Sequence, residues 1–390
     1  MRVSAFMGDL AKTEDGTRVA GRSPQGGDVY SYLDCARFVL AATVAFAHAW
    51  HLIVEDHRDN APLWADIGYF VAGFSHASVI LFFVLSGYWI SRSVEQRIAR
   101  GWVWRAYLSD RFARVAIVLV PALLLGGLLD LTGALLLRTP THLGVTDTYV
   151  LRTDVVANLA WPVWLGNLAL LQDIVVRPLG SNGPLWSLGW EWWFYLWYPA
   201  LALSWQRRRP DTMLILMVLA LIQPALLLAF ACWLMGWLVR VIERRGICRT
   251  LLHSLPFALA AGAVFLGTLV IARFMPFPGW ELPVAVAFAI FLAVLLTRRP
   301  AFPAVLTPVA HYGARASFSL YVTHFPILTM IAGLAVGSAR LPPDMWSAAL
   351  VAIGLATVIV FARGFAAVTE ANTGRLRKAM AERLQARDRA

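Results

Sequence analysis

Residues 33–54 read LDCARFVLAATVAFAHAWHLIV. The stretch is apolar and long enough to be a membrane helix, since about 20 residues rising 1.5 Å each cross a hydrocarbon core. Yet it carries Asp34, Arg37, His48 and His51. At roughly 100° per residue, Arg37 and His48 differ by only about 20° around such a helix and lie roughly 16 Å apart along it. Asp34 and His51 fall within the same arc of roughly 100°. One stripe of a greasy helix is therefore ionisable. A charge inside a bilayer is costly and faces a protein interior or a wet cavity, so the stripe reads as a site. The plainer alternative is a snorkelling Arg with two interfacial His.

The rest of the chain has the same character. Of its 390 residues 59% are hydrophobic and only 15% charged, more grease than a soluble core needs, and it comes in runs near span length. The fold class that follows is all-α, a polytopic integral membrane bundle of about ten helices. A net charge of +11 would suggest nucleic acid in a soluble protein. Here the Arg residues cluster between spans, so orientation and anionic lipid headgroups account for them and no nucleic-acid partner is expected. Cys35, Cys232 and Cys248 are scattered, which gives neither a disulfide framework nor a metal site. Residues 1–30 are polar and lack the apolar centre of a signal peptide. They are expected as a flexible cytoplasmic lead, followed by a transmembrane domain over 31–369 and a charged cytoplasmic tail over 370–390.

Placing the basic loops in the cytoplasm orders the spans. The first three run over 32–54, 67–90 and 112–137, with an outer turn at Asn60–Pro62 and a basic loop carrying Arg92, Arg97, Arg100, Arg105 and Arg111. The run 156–171 is short and holds Asn158, Pro162 and Asn167. If it crossed, Arg207, Arg208 and Arg209 would lie outside, so it reads as re-entrant or interfacial. A fourth span covers 185–205. Arg residues flank 213–239 on both sides, which asks for two short spans turning at Gln223-Pro224. Spans over 253–274, 282–297, 316–336 and 346–368 complete the set, with both termini inside.

Three further insertions carry chemistry. In GPLWSLGWEWWFYLWYP, 183–199, Glu191 sits among tryptophans that include Trp186. An interfacial aromatic belt explains most of the tryptophans, whereas a desolvated carboxyl suits a proton donor or a partner for His. In SFSLYVTHFPIL, 317–328, His324 lies near mid-bilayer with Pro326 loosening the helix behind it; a packing His bonded across helices is the alternative. Arg111 and Arg114, three apart at a helix start, share a face and suit bidentate phosphate contacts as well as simple orientation. Ser86-Gly87 reads as a nucleophile with a hinge, or as a small pair for close packing. A His, a buried acid and a cationic patch, without a metal-ligand set or a phosphate loop, suit acyl transfer.

At these residues the chain resembles the membrane-bound acyltransferase family 3, whose members O-acylate cell-surface sugars and related acceptors. The family's Arg and His with ten residues between them in the first helix are matched by Arg37 and His48. Its GVDxFFxxSG-like motif is matched by SVILFFVLSGYWI, 78–90, and its spaced arginines by Arg111 and Arg114. Its WSLxxExxFYLxxP motif is matched over Trp186–Pro199 with Glu191 in the acid position, and SLYLWHxP over Ser319–Pro326 with His324. Ile80 stands where many members have Asp, Thr323 where Trp is usual, Cys35 where Gly is common, and Gly189-Trp190 where a small apolar pair is common.

The resemblance implies an O-acyltransferase of a bacterial inner membrane with His48 as the catalytic residue. Acyl-CoA, in the first instance acetyl-CoA, is the expected donor, with no tightly bound cofactor. The expected acceptor is a hydroxyl of a surface glycan or its lipid-linked precursor. His48 takes the hydroxyl proton, Glu191 or Asp34 orients or balances the imidazolium, and Arg37 counters negative charge or holds donor phosphate. Arg111 and Arg114 dock the nucleotide, and His324, Ser86 and Trp186 complete the substrate-binding set. The rival reading is a transporter of a glycan precursor or organic acid that uses the same polar stripe as a proton relay.

Overall fold

A computed structural model describes residues 24–58, 61–151, 154–207 and 218–389. The first span is helix α1 (Pro24–Ile53). Proline suits a first helical position because its missing N–H would be unpaired there anyway. The segment expected as a lead over 1–30 is thus helical from Pro24 onward, and residues 1–23 lie outside the described residues.

The expected second span is broken into α2 (Leu63–Ala72) and α3 (Ser75–Ala99). Arg273 crosses the break so closely that a Cβ on Gly73 would sit 1.7 Å from its Nε. Its guanidinium donates to the Tyr69 carbonyl at 3.2 Å. The Gly73 N–H donates to the same carbonyl at 3.2 Å. Helix α4 (Trp104–Leu131) contains Pro121 and begins earlier than expected, so Arg105 and Arg111 are helical rather than in a loop.

The run 156–171 contains only a 3-10 turn, Ala157–Leu159, and α5 (Trp161–Leu168). Eight residues rise only about 12 Å, too little to cross, which agrees with the charge argument. Then come α6 (Leu185–Arg207), α7 (Leu219–Ile222) and α8 (Ala225–Arg245). The expected turn at Gln223-Pro224 is present between α7 and α8. The helix after it runs on to Arg245, and the start of the first arm, 213–217, lies outside the described residues, as do Arg208 and Arg209.

The chain finishes with α9 (Arg249–His253), α10 (Leu255–Phe274), α11 (Glu281–Arg298), α12 (Thr307–Ala335), α13 (Met345–Val368) and α14 (Thr373–Arg389). No β-strand occurs among the described residues. Eight helical stretches among them are long and apolar enough to cross a membrane. Helix α6 has the length, at 23 residues, but is aromatic rather than aliphatic. The protein is an all-α polytopic membrane bundle.

Its core is the crossing of α1 and α12. Gly313 makes this crossing possible: a Cβ there would meet the Asp34 carbonyl at 1.9 Å. The α3–α8 crossing is built the same way, since a Cβ on Gly87 would meet the Trp233 carbonyl at 2.0 Å. Gly87 therefore serves close packing, as small residues do between membrane helices. Beside it Ser86 Oγ accepts from Trp233 Nε1 at 3.2 Å. Glu95 on α3 lies 3.8 Å from Arg240 and 3.7 Å from Arg244 on α8, so the basic ends of these helices share one side. Outermost is α10, which leaves Leu259, Leu266 and Ile271 exposed, an apolar face suited to lipid.

Candidate active site

Helices α1, α3, α4, α6 and α12 enclose a cavity of about 380 Å³. Six sequence candidates line it: Asp34, Arg37, Ser86, Arg111, Arg114 and Glu191. Residues from four helices thus converge, with three guanidiniums against two carboxylates. Arg37 Nη1 lies 3.7 Å from Asp34 Oδ1, one helical turn away. Arg111 donates to Ser93 Oγ at 3.2 Å and lies 5.6 Å over the Tyr107 ring, while its buried Nε has no hydrogen-bond partner. Arg97, by contrast, is ion-paired with Asp110. The cavity keeps an excess of positive charge facing the Arg-rich end of the bundle, an arrangement that attracts an anion.

His48 does not line this cavity. It lines a second, outer pocket of about 430 Å³ together with Trp186, His76, Asp173, Tyr149 and Tyr321. The cause is the rise of the helix: Arg37 and His48 share a face of α1 but are separated by about three turns. The expectation that Glu191 or Asp34 would orient His48 therefore has no support in the geometry, because both carboxylates belong with Arg37.

His48 pairs with His324 instead. His48 Nδ1 lies 2.9 Å from His324 Nε2, the rings are nearly parallel at 11°, and Phe325 stands edge-on to His48. His324 is fully buried, and its Nδ1 sits 2.8 Å from the Tyr321 carbonyl and 3.1 Å from that of Leu320. A carbonyl only accepts, so Nδ1 of His324 carries the hydrogen. In the neutral ring its Nε2 is then an acceptor, and His48 Nδ1 must donate to it. That leaves Nε2 of neutral His48 with the free lone pair, the atom a base needs. His51, one turn further on, packs its ring against Tyr149.

The loop before α6 frames the His pair. Pro326 has no N–H, so the Val322 carbonyl four residues earlier loses its helical donor. Asn182 Nδ2 replaces it at 2.9 Å. The neighbouring Ser181 N–H donates to the buried Asp130 carboxylate at 2.7 Å. Near the outer pocket burial raises the Asp173 carboxyl above its usual range. Among the described residues no group of three or more His, Cys, Asp or Glu is placed to hold a metal ion.

A family model for an acyltransferase domain matches residues 30–363, most of the chain and every candidate site residue named above. The chain belongs to acyltransferase family 3. No curated protein and no solved structure matches it. As an acyltransferase family 3 member with this bundle it is a multi-pass membrane acyltransferase.

Sequence reasoning missed Asn182, Tyr321 and Asp173 in this family 3 site. Two of them carried a signal. Tyr321 is three residues before His324 and so shares its helix face. Pro326 announces an unpaired carbonyl at position 322, which some donor has to satisfy.

Proposed function

We propose that the protein transfers an acetyl group from acetyl-CoA to a hydroxyl of a surface glycan or its lipid-linked precursor. The observation that carries this reading is the pair of compartments on either side of one wall. A cationic cavity holds Arg37, Arg111 and Arg114, and a pocket behind it holds His48.

The donor's phosphates are the ligand that three guanidiniums suit, with charge-assisted hydrogen bonds stronger than neutral ones. The acceptor enters the outer pocket, where Trp186 offers an aromatic surface and Asp173 a carboxyl acceptor or donor for sugar hydroxyls. The acceptor O–H gives its proton to His48 Nε2 as its oxygen attacks the thioester carbonyl carbon. The C–O bond forms, the C–S bond breaks, and the leaving thiolate takes the proton from the His48 imidazolium, which returns the neutral base. His324 holds the tautomer and orientation of His48 and spreads the charge that His48 gains. Glu191 and Asp34 act on the donor side by holding Arg37.

The membrane is the bacterial inner membrane, with both termini cytoplasmic. Support comes from the basic ends of α3 and α8, which meet at Glu95 on the side that the charge rule assigns to the cytoplasm. The test uses inside-out vesicles carrying the full chain, supplied with acetyl-CoA labelled in the acetyl group. Free CoA should appear and label should enter glycan or glycolipid, and both should fall by about 10²- to 10⁴-fold with His48→Gln. Movement of a glycan precursor without release of CoA would establish the transporter reading instead.

A further inference from the structure

The cationic cavity and the outer pocket share two lining residues, Val79 of α3 and Tyr321 of α12. Every charge candidate lies on one side of this pair and His48 on the other. An acyl group held by a donor in the inner cavity meets His48 and the acceptor only by passing between them.

Both side chains are fixed. Val79 is 6% exposed and Tyr321 9%. A β-branched residue in a helix has essentially one side-chain rotamer. The Tyr321 hydroxyl sits 2.5 Å from Ser187 Oγ and donates to the Pro184 carbonyl at 3.1 Å, so its ring is held at the far end by the start of α6. Phe82 closes against the same ring, edge to face, at 6.0 Å. The Tyr321 carbonyl in turn accepts from His324, which couples the position of this ring to the His pair.

We propose that Val79 and Tyr321 form a neck that selects the donor's acyl group by its breadth and not by its length. The proposal rests on the acyl-CoA reading above. For His48 to serve the attack, the thioester carbonyl has to stand at the neck, with the α-carbon beside the Val79 methyls. A straight chain has the same breadth at two carbons as at four, and it runs on into a pocket of about 430 Å³. A branch at the α-carbon adds a methyl between two side chains that cannot yield. The substrates are therefore thioesters of unbranched acyl groups. One misplaced methyl group in a packed pocket changes discrimination by about 10- to 200-fold.

The test is calorimetric titration of the purified full chain in detergent with acetyl-CoA, butyryl-CoA and isobutyryl-CoA. Acetyl- and butyryl-CoA should bind within about threefold of one another, and isobutyryl-CoA at least about tenfold more weakly. Val79→Ala should shrink the gap between butyryl- and isobutyryl-CoA to about threefold or less. Equal binding of the two four-carbon donors by the unaltered protein overturns the neck, and that arm stands even where Val79→Ala does not fold. So does a Val79→Ala effect of the same size on both. Failure of all three thioesters to bind is a separate result, which overturns the acyl-CoA reading itself and the neck with it.

Discussion

Asn182 donates to the carbonyl of Val322 at 2.9 Å, four residues before Pro326. The proline removes the helical donor and the asparagine supplies another, so a loop is tied to helix α12 at the turn that carries His324. Asn182→Ala should leave that buried carbonyl unpaired and lower stability by about 1–3 kcal/mol. Pro326→Ala restores an N–H at the right place. In that background the same Asn182→Ala change should cost less than half as much, measured as thermal or denaturant unfolding in detergent across the double-mutant cycle. Equal costs in both backgrounds would mean that the asparagine does not stand in for the missing helix bond.

The His pair predicts a graded series. His48→Gln removes the base and should reduce acyl transfer by about 10²- to 10⁴-fold while membrane insertion and donor binding persist. His324→Gln keeps a donor and an acceptor but no fixed tautomer, and should lower turnover with little change in donor affinity. His51→Gln should be much milder, because that ring packs on Tyr149 outside the pair. Near-full transfer by His48→Gln together with its loss in His51→Gln would move the base to His51.

Arg111 and Arg114 line the inner cavity from the same face of α4. The double variant Arg111→Ala/Arg114→Ala should still insert and should lose donor affinity. Each lost charge-assisted bond to phosphate costs about 1.5–3 kcal/mol, read by titration with acetyl-CoA. Affinity equal to that of the unaltered protein would reduce both residues to an orientation signal.

Sidedness can be read by labelling single cysteines after Cys35, Cys232 and Cys248 are replaced. Cysteines placed near Arg97 and Arg299 should react only with reagent on the cytoplasmic side. One placed at Arg58, which is 76% exposed, should react from outside. Reaction at Arg97 from outside would invert the bundle and put the cationic cavity on the wrong side for a cytoplasmic donor.

Much of the site was legible as a set of residues, and little of it as a set of partners. Arg37, His48, Glu191 and His324 stand out because an ionisable group in an apolar span needs a reason. Arg37 and His48 share a helix face, which suggested one site. The helix rise puts them in two compartments, and Glu191 falls with Arg37. The partner of His48 is 276 residues away, beyond anything that local periodicity can register. The contact of Arg273 with the break at Gly73 was equally hidden, because it comes from another helix.

By itself the sequence determined that the chain is a helical membrane bundle, where most of its apolar helices lie and which end of them is basic. The reason is local: hydrocarbon forces each spanning segment to satisfy its own backbone, so apolar length and flanking charge suffice. Tertiary structure decided which polar groups meet. Gly313 lets α1 and α12 approach within backbone contact, and that approach sets His48 against His324. The Val79–Tyr321 wall arises from two helices that no sequence pattern pairs. Contacts of this kind depend on how whole helices cross, and crossing is settled by the summed packing of many residues rather than by any one motif.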